Sequence, residues 1–151
     1  MAASTTAFTS AGTKLYTSAS APATYNQAGF AALTWTEVGE IVNLGDFGRT
    51  YNVVNHINLG SRKTVKLKGS YNEGNLDLQL ARAPGDAGQA KLVAASTSDT
   101  SYSFKVLLQD GTVMYFSGQV ISYTTNVGAS DQIVGASCVI EINNDIIEVA
   151  P

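Results

Sequence analysis

Reactive and charged side chains are scarce in this sequence. Its 151 residues include one cysteine and one histidine, and only 14% of them are charged. A single cysteine, Cys138, excludes a disulfide within the chain and any zinc site built from several cysteines. Because Cys138 lies in an alternating apolar stretch, we interpret it as a small buried hydrophobic side chain. We expect a protein that is made in a cytoplasm and stays reduced.

The shortage of charge also bears on how the chain associates. Hydrophobic residues make up 44% of it, and soluble monomers usually carry more charged residues on their surface than this chain can supply. Part of the surface is therefore predicted to be buried against another subunit. The sequence lacks an apolar run of membrane-spanning length and a signal-peptide pattern, so we expect no membrane span. A net charge of −3 argues against tight binding to nucleic-acid phosphates.

Catalytic patterns are weak as well. His56 is the only histidine, and it is remote in sequence from Cys138. Gly69 and Gly74 have the spacing of a phosphate-binding loop, but Asn75 stands where that loop needs lysine. We therefore predict no catalytic, metal-binding or cofactor-binding residues, and a protein that is not an enzyme. A pair of carboxylates brought together in space, as in glycosidases, is the enzymatic alternative that the sequence leaves open.

The first thirty residues are predicted to form an N-terminal arm. Of the first 24 residues, 18 are Ala, Ser, Thr or Gly, and such a segment buries too little apolar surface to order itself. We expect these 24 residues to be flexible or laid along a neighbour, and to order only on assembly. Residues 31–151 are expected to form a single β-rich domain.

Strand patterns dominate that domain. Leu76, Leu78 and Leu80 alternate with polar residues, as they do in a strand with one buried face. Similar stretches follow, separated by turn residues such as Asp110-Gly111. The predicted fold is mainly β, an antiparallel β-sandwich or half-barrel of six to eight strands with one short flanking α-helix.

The helix is predicted at about residues 86–96. Asp86 and Gln89 have the spacing of a capping box, in which the carboxylate accepts early backbone N–H groups and the amide reaches back to the cap. Alanines and Leu92 then favour two or three helical turns. We expect this helix to cover a barrel mouth or a sheet edge.

A long loop is predicted at residues 44–61, which begins with a Gly-rich turn and ends at a basic strand. Long ordered loops in compact domains usually serve binding. In the strand that follows, Arg62, Lys66 and Lys68 are expected on one face. This basic face is interpreted as a solvated or subunit-contact surface, with a nucleic-acid site as the alternative.

Four aromatic residues in the first third have two interpretations. They would pack in a core or an interface, as aromatics in β-rich chains usually do, or stack on sugars in a carbohydrate-binding module. These residues are Tyr16, Tyr25, Trp35 and Tyr51.

A series of short motifs, in order, resembles the major tail tube proteins of long-tailed, non-contractile (siphovirus-type) bacteriophages. The resemblance extends over nearly the whole chain and rests on the order of the motifs. They are Gly12-Thr13-Lys14-Leu15-Tyr16, Pro22-Ala23-Thr24-Tyr25, Gly29-Phe30, Trp35-Thr36-Glu37-Val38-Gly39-Glu40-Ile41, Gly45-Asp46-Phe47-Gly48, Lys68-Gly69-Ser70, Asp86-Ala87-Gly88-Gln89, Asp110-Gly111-Thr112, Tyr115-Phe116-Ser117-Gly118 and Ile146-Ile147-Glu148-Val149.

This resemblance implies a structural virion protein whose six copies form a ring. Stacked rings would form the hollow tail tube through which DNA is delivered to the host, without specific binding of the DNA. The implied partners are further copies of the chain and the tape-measure, tail tip and tail terminator proteins. The implied location is the virion tail, assembled in the cytoplasm of the bacterial host.

The resemblance also implies which parts hold successive rings together, namely the long loop and the N-terminal arm. We predict self-assembly and ring-stacking residues in or beside them: Tyr16, Tyr25, Phe47, Arg49, Tyr51, Arg62 and Lys66. Two alternatives stay open. One is the tube protein of a contractile tail or a type VI secretion machine, and the other is a carbohydrate-binding or adhesion β-sandwich of a virion.

Overall fold

The computed structural model describes residues 6–151, which form ten β-strands and two α-helices. The strands are β1 (Lys14–Ser18), β2 (Thr36–Val38), β3 (Ile41–Asn43), β4 (Thr50–Ile57), β5 (Thr64–Asn72), β6 (Asn75–Ala81), β7 (Tyr102–Leu107), β8 (Val113–Asn126), β9 (Gly135–Ile142) and β10 (Ile147–Val149). The helices are α1 (Gln27–Ala31) and α2 (Ala87–Ser96). The predicted mainly antiparallel β fold with a short flanking helix is confirmed, and α1 is a second helix that the sequence analysis missed.

Most strands belong to one antiparallel sheet with the order β2-β1-β7-β8-β9-β6-β3. The long strand β8 is its centre. The first residues of β8 pair with β7 on one side and β10 on the other, whereas its second half pairs with β9. Gly118 lies opposite Ile142, and Tyr115 lies opposite Ile147, so β9 and β10 follow one another along β8 with a short interruption.

The sheet is rolled. Strands β2 and β3 are its two edges, yet only Gly39 and Glu40 separate them in sequence. The three Cα–Cα steps from Val38 to Ile41 span at most about 11 Å, so the sheet must curl until its edges are adjacent along a seam. The N–H of Ala81, at the end of β6, donates to the carbonyl of Glu40 (2.8 Å) and extends the β3–β6 pairing into this connection. Strand pairing in the described residues does not continue around the seam, so the roll is an open barrel.

The hydrophobic core lies inside the roll. Leu76, Leu78 and Leu80 of β6 are buried as their alternation predicted, and the stacked rings of Phe104 and Phe116 lie 5.5 Å apart. Leu92 of α2 closes the core from one side. Burying each of these large side chains contributes about 1.5–3 kcal/mol, so the core is the main source of stability.

The start of α2 is hydrogen-bonded to the β2–β3 connection and to the end of β6. Asp86 caps the helix by accepting from the N–H of Gln89 (2.9 Å), as predicted. The predicted return bond is different, because the Gln89 amide does not reach the Asp86 N–H. Instead it accepts from the N–H of Ala83 (2.9 Å) and donates to the carbonyls of Gly39 (3.0 Å) and Ala81 (2.9 Å). The capping-box glutamine therefore connects the helix to the seam.

The structure departs from the expected arm at residue 14. Lys14–Ser18 is strand β1, which pairs with β2 and β7 within the single chain, and Leu15 is completely buried. Phe30 of α1 is completely buried too. Backbone pairing on both sides and the burial of Leu15 order β1, which the high content of small residues in the first 24 positions did not reveal. Residues 1–5 of the arm lie outside the described residues.

An aromatic cluster covers the outer face of the sheet at β7 and β8. The ring of Phe30 stacks on Tyr115 (5.3 Å), and Trp35 lies 6.0 Å from the same ring. Tyr25 meets Phe30 edge-on (5.0 Å), and Lys105 lies 4.5 Å from the ring centre of Tyr16. Helix α1 and the segments beside it thus form a second layer on this half of the sheet.

Candidate self-assembly surface

Strands β4 and β5 form a hairpin that is separate from the main sheet. The predicted loop 44–61 is in part a strand, since Thr50–Ile57 pairs with Thr64–Asn72 in a two-stranded sheet of its own. Interspersed asparagines obscured the strand period in the sequence. The expected basic strand is β5, and Arg62 precedes it in the hairpin turn with a positive φ of 59°.

Both faces of the hairpin are open to solvent, and both carry large apolar side chains. Leu59, at the turn, is 98% exposed. An isolated two-stranded hairpin is marginally stable in water, and clustered exposed apolar residues are typical of interaction sites. The exposed large hydrophobic residues of the hairpin are Val53, Val54, Ile57, Leu59, Val65, Leu67 and Tyr71. The hairpin is therefore the leading candidate for contact with another subunit.

The two faces differ in chemistry. Cross-strand partners share a face, so the pairs Val54–Leu67 and His56–Val65 form an apolar face. The basic face contains Lys66 opposite Asn55, and Lys68 opposite Val53. The ammonium group of Lys68 lies 4.7 Å from the ring centre of Tyr51 on this face.

Charge is segregated between the hairpin and the rest of the chain. Residues 50–72 contain four basic residues and no acidic one. The remaining five basic and twelve acidic residues give the rest of the chain a net charge of −7. A positively charged hairpin thus projects from a negatively charged body, and opposite potentials of this kind favour association between copies. The basic residues of the hairpin are Arg62, Lys63, Lys66 and Lys68.

Arg49 organises the base of the hairpin. Its Nε atom donates to Oε1 of Glu73 (2.6 Å), and Nη1 donates to the hydroxyl of Tyr51 (3.3 Å). The guanidinium lies 4.1 Å from the ring centre of Tyr71, a favourable cation–π distance. A second ion pair joins Nη2 to Oδ1 of Asp145, in the turn before β10 (3.2 Å). Hydrogen bonds to Tyr51 and Glu73 raise the pKa of Arg49, so it stays charged.

The predicted assembly residues fall into three groups. Arg49 and Tyr51 lie together at the hairpin base, and the Tyr25 hydroxyl donates to the Asp145 carbonyl beside them (2.6 Å). Arg62 and Lys66 lie further along the hairpin. The other two lie elsewhere, with Tyr16 on the outer face of β1 and Phe47 5.7 Å from Phe116 of the core.

Phe47 has a structural role in its own subunit because of that core contact. Loss of the Phe47 phenyl group would loosen the core of the subunit as well as any contact that Phe47 makes with another subunit. The predicted role of Phe47 in contact between subunits stays a prediction. A substitution of Tyr51 tests the predicted assembly surface with less disturbance of the core.

Sequence reasoning missed Glu73, Tyr71 and Asp145, which complete the Arg49 cluster. Glu73 and Asp145 lie 24 and 96 positions beyond Arg49, so no short-range pattern connects them. Leu59 was also missed, although an apolar residue next to Gly60 in a polar turn was a readable signal.

Cys138 and His56, the two residues considered for catalysis, lie in different parts of the fold. Cys138 is buried in the core, where burial, and secondarily the charge of Asp77, raises the pKa of its thiol to about 12. His56 lies on the exposed hairpin. Within residues 6–151, no group of three or more His, Cys, Asp or Glu side chains is arranged to hold a metal ion. The helices in this range are too short or too polar to cross a membrane.

Comparison with known proteins gives the family. The family model described as "Lambda phage tail tube protein, TTP" matches residues 14–147. The chain belongs to this family. It is a structural protein of the phage tail tube, a virion component that associates with further copies of itself. The predicted relationship to tail tube proteins is confirmed. No curated protein sequence matches the chain significantly.

Solved structures share the fold of this tail tube protein. A chain of the anti-feeding prophage baseplate, 6-fold symmetrised, matches with a TM-score of 0.71 and 10% identity, over 97% of this chain and 98% of that one. The SPP1 tail tube matches with a TM-score of 0.63 and 12% identity, over 92% and 77%. A chain of the sheath-tube complex of an extracellular contractile injection system, PVC, matches with a TM-score of 0.57 and 11% identity, over 92% and 88%.

Proposed function

We propose that six copies of this chain form a ring, and that the rings stack into the tail tube of a long-tailed, non-contractile phage. The tube conducts DNA to the host. The observation that carries the proposal is the β4–β5 hairpin, which projects with both faces exposed. A hairpin of this kind needs a neighbouring surface, and a second copy in the adjacent ring supplies one.

Charge supports the same assignment. At a formal charge of −3 per chain, six copies carry about −18 per ring. A field of this sign repels nucleic-acid phosphates, so DNA passes through without adhering. The positive charge of the chain is concentrated in the hairpin, where it favours contact between negatively charged bodies.

Membership of the family supports a wider role that we also propose. The tube ends on tail tip and tail terminator proteins, and a tape-measure protein occupies the tube during assembly. Assembly takes place in the cytoplasm of the bacterial host. The chain works by shape and association and is not an enzyme, and it needs no cofactor.

The test is electron microscopy of the purified chain across a range of concentrations, with light scattering for mass. We expect hollow tubes with sixfold end views for the unaltered chain. Leu59→Asp should leave folded monomers or single rings and few tubes, because it places a charge in the predicted contact between rings. Val127→Asp is the matched control, since Val127 is an exposed apolar residue outside the hairpin.

Two results would contradict the proposal. If the unaltered chain stayed a 15.8 kDa monomer even with a tail tip complex as an initiator, the tube assignment would fail. Full-length tubes at normal yield from Leu59→Asp would remove the hairpin from the contact between rings.

A second candidate is the tube of a contractile injection machine. The match to the PVC sheath-tube complex favours it, since that structure is described as an extracellular contractile injection system. The two machines differ in whether a sheath surrounds the tube. Binding of a sheath protein to purified tubes would support the second candidate, and its failure would support the first.

A further inference from the structure

The hairpin joins the rest of the chain through two glycines. Gly48 precedes Arg49 on the way into β4, and Gly74 follows Glu73 on the way out of β5. The N–H of Gly48 donates to the carbonyl of Glu73, so the two connections lie side by side. Gly74 has a φ of 83°, and a Cβ at Gly48 would have open space around it. Adjacent glycines of this kind permit hinge motion of the hairpin against the body.

Most contacts of Arg49 do not cross this hinge. Glu73, Tyr51 and Tyr71 all belong to the hairpin or to its immediate flanks, so their contacts with Arg49 move with the hairpin. Asp145 belongs to a different segment, the turn between β9 and β10. Its carboxylate pairs with Arg49 (3.2 Å) and accepts from the hydroxyl of Tyr71 (3.4 Å).

The turn that carries Asp145 is itself fixed to the body. The N–H of Asn143 donates to the Ser117 carbonyl (3.1 Å), and the side chain of Asn144 donates to the Ser117 hydroxyl (2.8 Å). Tyr25 holds the backbone carbonyl of Asp145 from the side of α1 (2.6 Å). The carboxylate is therefore fixed to the body, beside the two glycines that join the hairpin to it.

We propose that the Asp145 side chain is a positioning residue that holds the β4–β5 hairpin at one angle to the body and so prepares it for the adjacent ring. This inference rests on the proposed function of the hairpin in stacking. The Asp145 side chain is 61% exposed, and exposed ion pairs contribute little to folding stability. Its effect is on orientation, because a hairpin held in its bound direction loses less conformational freedom on association.

The first measurement is made on the monomer and does not depend on assembly. Spin labels are placed at Ser61→Cys in the hairpin turn and at Thr100→Cys on the body, and double electron–electron resonance gives the distance distribution between them. The buried Cys138 stays unlabelled in the folded protein. Labelled chains are diluted with unlabelled ones to suppress distances between subunits. We expect a narrow distribution for the unaltered side chain and a broad one for Asp145→Ala.

The second measurement is the lowest concentration at which tubes form. We expect Asp145→Ala to raise it about tenfold, since each hairpin must be ordered during stacking. Asp145→Asn keeps an acceptor oxygen but loses the charge, so its lowest tube-forming concentration should lie between those of the unaltered chain and Asp145→Ala. Asp131→Ala is the matched control, because Asp131 is an exposed acidic residue in the 127–134 loop. The thermal midpoints of all variants should agree within a few degrees.

The outcomes separate this inference from the proposed function. A distance distribution that Asp145→Ala leaves unchanged would overturn the positioning role, whether or not tubes form. If Asp145→Ala gave a broad distribution but formed tubes normally, Asp145 would not be important for stacking. If the unaltered chain forms no tubes but Asp145→Ala broadens the distribution, the proposed function fails and the positioning of the hairpin stands.

Discussion

The Nε atom of Arg49 lies 2.6 Å from Oε1 of Glu73, whose side chain is only 7% exposed. A carboxylate this deeply buried depends on its partner, because a buried charge without compensation is costly. The pair connects the two ends of the hairpin where they leave the body. We therefore expect it to affect folding stability, unlike the exposed pair between Arg49 and Asp145.

Arg49→Met should lower the thermal midpoint by several degrees, because it leaves Glu73 buried without its cation. Arg49→Met with Glu73→Gln should lose less than the sum of the two single changes. Thermal unfolding followed by circular dichroism gives the double-mutant cycle. Additive losses would mean that the two side chains do not stabilise one another.

Gly88→Ala should destabilise the fold by more than about 3 kcal/mol or prevent folding. A Cβ at Gly88 would overlap the carbonyl oxygen of Glu37 and would lie 2.6 Å from Cα of Val38, so α2 would have to move off strand β2. Urea unfolding measures the change. Gly85→Ala is the control, since its Cβ would meet nothing within 4 Å, and it should be neutral. Equal stability of the two variants would contradict this account of helix packing.

Gln89→Ala should cost about 2–4 kcal/mol of unfolding free energy, since it leaves the N–H of Ala83 and the carbonyls of Gly39 and Ala81 without this partner. Hydrogen exchange should also rise at the seam, for example at the N–H of Ala81. Val93→Ala, at an exposed position of the same helix, is the control and should change stability little. If exchange rose equally throughout the sheet, Gln89 would not act at the seam in particular.

The Cys138 thiol should make the fold less stable at alkaline pH. Its pKa is raised from 9.0 to about 12 by burial and by Asp77. Above pH 9 the unfolded chain loses this proton and the folded chain keeps it. Ionisation then favours the unfolded chain, and the unfolding free energy falls by up to about 1.4 kcal/mol per pH unit until pH nears the folded pKa. Below pH 9 this contribution to stability is complete.

Comparison with Cys138→Ala isolates the thiol. Burial also raises the pKa of Tyr25, Tyr115 and Tyr123, so part of any alkaline loss comes from tyrosines. The difference in slope between the two proteins from pH 9 to 10 is the contribution of Cys138. Identical slopes would contradict its burial, as would rapid reaction of the native thiol with a disulfide reagent at pH 8.

The sequence by itself determined the elements whose signals are local. Alternation identified β6 through Leu76, Leu78 and Leu80, because a strand with one buried face repeats every two residues. Asp86 identified the start of α2, because a cap acts on the N–H three residues later. The order of short motifs also indicated the tail tube family, which the family match confirms.

Tertiary structure alone decided the elements that depend on distant partners. Leu15 is ordered because β2 and β7 pair on either side of it, and those strands lie 21 and 87 positions or more further along the chain. Gln89 has the spacing of a cap but bonds to Ala81 and Gly39, which the rolled sheet brings to it. The Arg49 cluster needs Asp145 from the far end of the chain. Local patterns carry the geometry of single helices and strands, whereas these contacts arise only after the sheet has rolled.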